Sequence, residues 1–449
     1  MQALAPHKSN LFRTGISTWV LILVHFVSGA QINCANDSTG LIPLVDLLTG
    51  TYEGYQGGLY PGGGNTIPAA HMDSGIAIAN AILPLNFDGD ADTVYGKVVF
   101  VALGGGSSQK AFNRFYSDFQ NAGYYDSCVR IINACMEEYD LRDMFGPAAD
   151  DTYWKDVNDF LQNVNVKKRQ VRAVWLMTPA LTDTFTTTAD FIDTLSAAYV
   201  HAIHEIKNQF SNVDLMFLTG SPYGGYTDSN ALQSAALLEP ASYLTDFAIK
   251  QAIAAQISGD SLLAYSGDDP VAPWLAWGPN IWADGRNIRT YDGLRWLCPG
   301  DYDTDGNGYY LGGSGLTKIS SRLYDFFTTS PVTTPWIFGL PYECFTEVDT
   351  VVDDGETIDT AIIPEDEVLW ITQNPVKGVL KFTINLDTED KAQVYVFDML
   401  GNEVSEGVFN KIEQGRIYSI KLTESARAIY VLSVFVENKV YNKLFYLDN

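Results

Sequence analysis

From about position 97 the chain alternates short apolar runs with longer amphipathic stretches. Segments 97–103, 129–134, 171–177 and 213–218 are rich in Val, Ile and Leu, as strands buried on both faces are. Between them, 108–121, 152–162 and 189–210 read as helices. In the last, Phe191, Leu195, Tyr199, Ala202, Ile206 and Phe210 recur at helical spacing and leave a polar stripe opposite. Strand, helix, strand at this spacing predicts right-handed crossovers and a parallel sheet. Two further helices are expected at 241–257 and 316–327, and no internal repeat is present.

The pattern changes at 346–367, where nine acidic residues occur without a basic one; such a run reads as an extended, self-repelling linker. Beyond it the period becomes two. Leu380, Phe382, Ile384 and Leu386 interleave with Lys381, Thr383 and Asn385, and further short apolar runs follow at 394–396, 417–422 and on both sides of Glu437-Asn438-Lys439. Several short strands within eighty residues predict a small β-sandwich. The expected fold class is therefore α/β with a parallel sheet, followed by a β-sandwich.

The first thirty residues form an address. His7, Lys8 and Arg13 give a basic start, 16–27 is almost wholly apolar, and Ser28-Gly29-Ala30 offers small residues for cleavage. The apolar run is short for a bilayer, and no later segment has the length for a membrane helix. The expectation is an exported chain that begins near Gln31; Gln31-Ile32-Asn33 before Cys34 matches a lipoprotein signal poorly. A net charge of -26 and a pI near 4.4 argue against nucleic acid as a partner and favour a neutral polysaccharide or a cation. Five cysteines, Cys34, Cys128, Cys135, Cys298 and Cys344, leave at least one thiol unpaired. If 129–134 is a strand, Cys128 and Cys135 stand roughly 23 Å apart, too far for a bridge.

The module from Val368 to Asn449 resembles the type A C-terminal sorting domain of the type IX secretion system of Bacteroidetes. The likeness rests on Asn374-Pro375, Val396-Phe397-Asp398-Met399-Leu400-Gly401, Ile429-Tyr430-Val431-Leu432 and the late Lys443; Ala428 stands where the family usually has Gly. The resemblance implies the type IX machinery as partner, passage through the outer membrane of a Gram-negative bacterium, and release or attachment to surface polysaccharide.

The larger module, 31–345, resembles SGNH/GDSL-like hydrolases. The likeness is carried by Gly54-Tyr55-Gln56-Gly57-Gly58-Leu59-Tyr60-Pro61, Pro68-Ala69-Ala70-His71, the strand ending at Leu103-Gly104, Trp274-Leu275-Ala276-Trp277-Gly278-Pro279, Trp282-Ala283-Asp284-Gly285 and Asp292-Gly293-Leu294-Arg295-Trp296. It implies a flavodoxin-like, three-layer fold. An ester hydrolase of this kind needs a nucleophilic Ser after the first strand, a His base, an Asp to orient the His, and donors for the oxyanion. Here the nucleophile loop reads Gly104-Gly105-Gly106-Ser107-Ser108, so Gly106 takes the nucleophile's place unless one glycine is inserted, which moves it to Ser107. The family's Asp and His positions fall on Asp305 and Tyr310, and a tyrosine does not replace an imidazole at neutral pH. Cys135-Met136-Glu137-Glu138 stands where a glycine-rich oxyanion loop is expected. The leading expectation is a surface pseudohydrolase with a binding or structural role, set against an active carbohydrate esterase or deacetylase with Ser107 and an unconventional base, and against a purely adhesive protein.

Beyond Tyr310, three further features carry potential chemistry. Asp301, Asp303 and Asp305 alternate before Gly306, as in calcium loops, although Gly312 stands at the twelfth position; a polar loop with Asx turns is the other reading. Trp277, Trp282, Tyr291 and Trp296 crowd one segment, with Trp274, and serve either as stacking faces for sugar rings or as core. His201 and His204 share the polar stripe of one helix and read as solvated, while His71 reads as structural; Asp88, Asp90 and Asp92 read as a turn.

Overall fold

The computed structural model describes residues 32–448 except 123–125, 137–138, 140, 146–151, 178–184, 228–237, 304–307, 309, 343, 345–367, 373, 375, 377–378, 389, 400–402, 410, 415, 423–427 and 438. The expected leader, the acidic linker and Asp305 lie outside the described residues.

Five parallel strands build the larger module: β1 (Val98–Gly104), β2 (Val129–Asn133), β3 (Val171–Met177), β4 (Leu215–Thr219) and β5 (Trp274–Trp277). Their order is β2-β1-β3-β4-β5, the flavodoxin-like arrangement with its topological switch between β1 and β3. Every residue of β1 and β4 is buried, which is why their sequences run apolar without alternation. Among the described residues, six helices of twelve residues or more accompany the sheet: α1 (Ala69–Ala81), α2 (Gly106–Ala122), α3 (Thr152–Asn163), α4 (Thr188–Gln209), α5 (Ala241–Ile257) and α6 (Gly313–Thr329). Right-handed crossovers set α2 and α6 on one face and α3 to α5 on the other. On the first face Phe100 of β1 meets Phe112 of α2 at 5.6 Å and Phe327 of α6 at 4.6 Å. On the second, α4 is opened by Thr187, whose hydroxyl accepts the Asp190 N–H at 3.0 Å, and it buries all five of its predicted stripe positions, Phe210 following buried at its end.

Two elements were not anticipated as such. β5 is a four-residue strand made of Trp-Leu-Ala-Trp, read from the sequence as a family motif and an aromatic cluster but not as a strand. α1 packs closely on it, because Gly75 leaves room for the Trp274 ring; a Cβ there would lie 2.4 Å from that ring. Ahead of α1 the loop 57–64 folds back on itself, with Tyr60 N–H donating to Gly64 O at 2.9 Å. Gly58 takes a positive φ of 72° there, and a Cβ would meet the Gly63 backbone at 2.3 Å.

Two disulfides, Cys34–Cys298 and Cys128–Cys344, close long loops of the larger module. The odd thiol is Cys135, buried and free, its ionisation opposed by burial. The last strands, β6 (Leu369–Ile371), β7 (Val379–Ile384), β8 (Ala392–Asp398), β9 (Glu403–Phe409), β10 (Ile417–Lys421), β11 (Ala428–Val436) and β12 (Lys439–Leu447), form antiparallel sheets ordered β9-β8-β11-β12 and β10-β7-β6. They enclose a core of their own that contains Leu380, Phe382, Ile384, Val394, Val396, Leu432 and Val434. No helix among the described residues is long and apolar enough to cross a membrane.

Candidate functional site

The chain leaves β1 at the switch point, where open α/β sheets place their ligands. Gly104 makes the turn with φ 145°, and a Cβ on it would lie 1.9 Å from the Met177 carbonyl at the end of β3. α2 then begins at once. Its first turn is fastened by Ser108, whose hydroxyl donates to Met177 O, and by Gln109, whose side-chain amide donates to Cys135 O at 2.9 Å. Asn133 at the end of β2 completes the fastening by donating to Gln109 O at 2.9 Å.

Ser107 sits inside this turn. It is 8% exposed, and its Oγ has no hydrogen-bond partner among the described residues. Lys110, three residues after Ser107 on α2, sets its ammonium 4.4 Å from the ring centre of Tyr310. No hydrogen bond joins Ser107 Oγ to a base among the described residues. The three histidines of the described chain are engaged elsewhere. His71 Nε2 faces Leu275 O at 2.8 Å, its ring stacks 4.8 Å from Trp274, and burial lowers its pKa. His204 Nε2 bonds Leu262 O, and His201 lies 5.9 Å from the Phe145 ring, so the pair does not converge on a metal.

Asp301 is committed to structure. It is buried at 1% exposure, its Oδ2 takes the Leu297 N–H and the Lys318 ammonium, and its Oδ1 takes the Ser314 hydroxyl at 2.8 Å. A calcium ion would have to displace the ammonium from it. Asp303 is described and its N–H donates to Tyr310 O at 2.8 Å; among the described residues no three side chains gather that could hold a metal. Asp88, Asp90 and Asp92 belong to turns in which Asn86 Oδ1 accepts the amides of 88 and 90.

The aromatic segment separates into two classes. Trp282 and Trp296 are wholly buried, their indole N–H groups donating to Glu239 Oε1 at 2.9 Å and Ile281 O at 3.0 Å. Their faces are therefore core and are corrected from the sugar-stacking reading. Trp277, 2% exposed, and Tyr291, 56% exposed, line a cleft of about 440 Å³ at the β5 edge of the sheet, between the 59–67 loop, α1 and α6. Sequence reasoning missed its polar wall. Arg289 pairs with Asp292 at 2.7 Å, and Arg322 reaches the same carboxylate at 3.1 Å. Burial opposes the charge of Asp292, but the bonds and charges of Arg289 and Arg322 hold its pKa down to about 2. Only the Asp292-Gly293-Leu294 motif offered a signal; Arg289 and Arg322 lie thirty-three positions apart and carry none.

No family model matches this chain, and no curated protein matches it. Among solved structures it is similar to a carbohydrate esterase family 3 protein from Talaromyces cellulolyticus, at 11% identity over 51% of this chain and 94% of that one, TM-score 0.28. An acetyl xylan esterase is similar at 10% identity over 51% and 98%, TM-score 0.26. A DUF3244 family protein with an immunoglobulin-like β-sandwich fold from Bacteroides vulgatus is similar at 19% identity over 16% and 75%, TM-score 0.13. Likenesses this slight carry no weight beside the strand order and side-chain geometry described above.

Proposed function

We propose that this chain is an exported, surface-displayed pseudohydrolase of SGNH type, which binds glycan rather than hydrolysing its esters. One observation carries the reading. Ser107 Oγ is buried without a partner among the described residues, whose three histidines lie against other groups: His71 at Leu275 O, His204 at Leu262 O and His201 beside Phe145. A serine hydroxyl is a weak nucleophile until a base takes its proton, and Tyr310 at the base position is no such group at neutral pH. The two disulfides support export, since such bridges persist in oxidising compartments.

The test is ester turnover by the mature protein. No hydrolysis of p-nitrophenyl acetate or acetylated xylan above background is expected, with Ser107→Ala indistinguishable from the parent. Turnover that vanishes in Ser107→Ala would restore the enzyme. Display is tested in the native host by deleting 368–449, and the truncated protein is expected to remain in the periplasm; undiminished surface display would give the module another task.

A further inference from the structure

We infer that the cleft at the β5 edge is a binding site for a neutral saccharide, distinct from the Ser107 turn. This rests on the binding reading above and gives it a place and a ligand chemistry. None of the cleft's lining residues belongs to 104–110, 135–136, 177 or 310. At about 440 Å³ the cleft falls within the ~300–1,000 Å³ that small-molecule sites occupy.

The buried arginine of its wall is already spent on its neighbours. All five N–H donors of Arg289 are used inside the protein. Nε and one NH2 hydrogen go to Asp292 at 2.8 and 2.7 Å, the other NH2 hydrogen to Asn280 O at 2.9 Å, and NH1 to Asn280 Oδ1 and Trp282 O at 2.6 and 2.7 Å. Arg322 spends part of its guanidinium on Asp292 and on Lys318 O at 3.1 Å. An anionic ligand therefore meets a wall in which the charges of Arg289 and Arg322 are offset by the carboxylates of Asp292 and Asp325. What remains unspent suits hydroxyls. The side chains of Asp325 and Thr66 have no hydrogen-bond partner among the described residues, and both line the cleft.

The apolar part suits a sugar ring. Tyr291 presents an exposed ring from a fixed backbone, because the Asp46 carboxylate accepts the N–H groups of Thr290 and Tyr291 at 2.7 and 2.8 Å. Tyr60 stands behind it, its hydroxyl accepting Trp277 N–H at 3.2 Å. A rigid, half-exposed aromatic beside a free carboxylate and a free hydroxyl matches a ring with C–H faces and equatorial hydroxyls.

The experiment is calorimetric titration of the mature chain with cellohexaose, xylohexaose, mannohexaose and maltohexaose as neutral probes, with hexagalacturonate and spermine as charged ones. At least one neutral hexasaccharide is expected to bind. Tyr291→Ala should weaken it at least tenfold and Asp325→Ala at least fivefold, with unchanged thermal midpoints, while Ser107→Ala binds like the parent. Binding confined to hexagalacturonate overturns the neutral-ligand inference and leaves the glycan reading standing, whereas binding to spermine alone, or to no probe, overturns both. Neutral binding that survives both cleft substitutions overturns this site alone, and ester turnover dependent on Ser107 overturns the pseudohydrolase reading while leaving the cleft standing.

Discussion

Asp246 is a residue at which the interior of this protein resists charge. It lies on α5, fully buried, and burial pushes its carboxyl up to about 7 despite the hydrogen bond from Asn280 at 2.7 Å and the nearby charge of Arg289. Its Oδ1 has no partner among the described residues, and neither has the buried hydroxyl of Tyr199; a Cβ on Gly220 would lie 2.0 Å from Asp246 Oδ1. An unfolded aspartate releases its proton near pH ~3.9. Between there and about pH 7 the native protein holds a proton that the unfolded chain has lost, so stability is full below the window and falls as pH rises through it. Glu239, raised by burial to about 7, acts in the same direction. Asp246→Asn should therefore flatten the decline, by up to ~1.4 kcal/mol per pH unit within the window. Urea unfolding of parent and variant at pH 5 and pH 7 reads this, and equal slopes would show that Asp246 titrates alike in both states.

At the scale of elements, legibility followed burial. The strands β1 and β3 were readable because, Arg172 apart, nothing but apolar residues fills them, and α4 because a 22-residue amphipathic helix repeats its stripe many times. β5 escaped because four residues hold no period, and two of the four are tryptophans, whose size suggests a surface for stacking as readily as a core. α1 is rich in Ala and holds one Gly, with so little contrast between its faces that its place against Trp274 shows only in three dimensions. The same logic divides the site. The places of Ser107 after a strand and of Tyr310 before a helix were legible because both are local features. Arg289, Arg322 and Asp325 meet across a cleft between a turn and a helix, and no local pattern announces that meeting.

Across the whole molecule, two separate cores hold the described residues, one drawn from 44 to 337 and the other from 369 to 447, as the change from helical to alternating period suggested. Only the first is crossed by disulfides, and they span it widely, with sequence separations of 264 and 216. This has a consequence for the order of events at synthesis. In a chain delivered amino end first, Cys34 emerges long before Cys298, and Cys128 and Cys135 pass by in the interval. An oxidant acting on the arriving chain meets wrong pairs before the right one exists, so maturation calls for reshuffling by thiolate exchange. Reduced, denatured protein should accordingly regain both native bridges in a glutathione redox buffer and far less completely under air alone, as judged by peptide mapping. Equal recovery in both would mean that folding brings the partners together before oxidation begins.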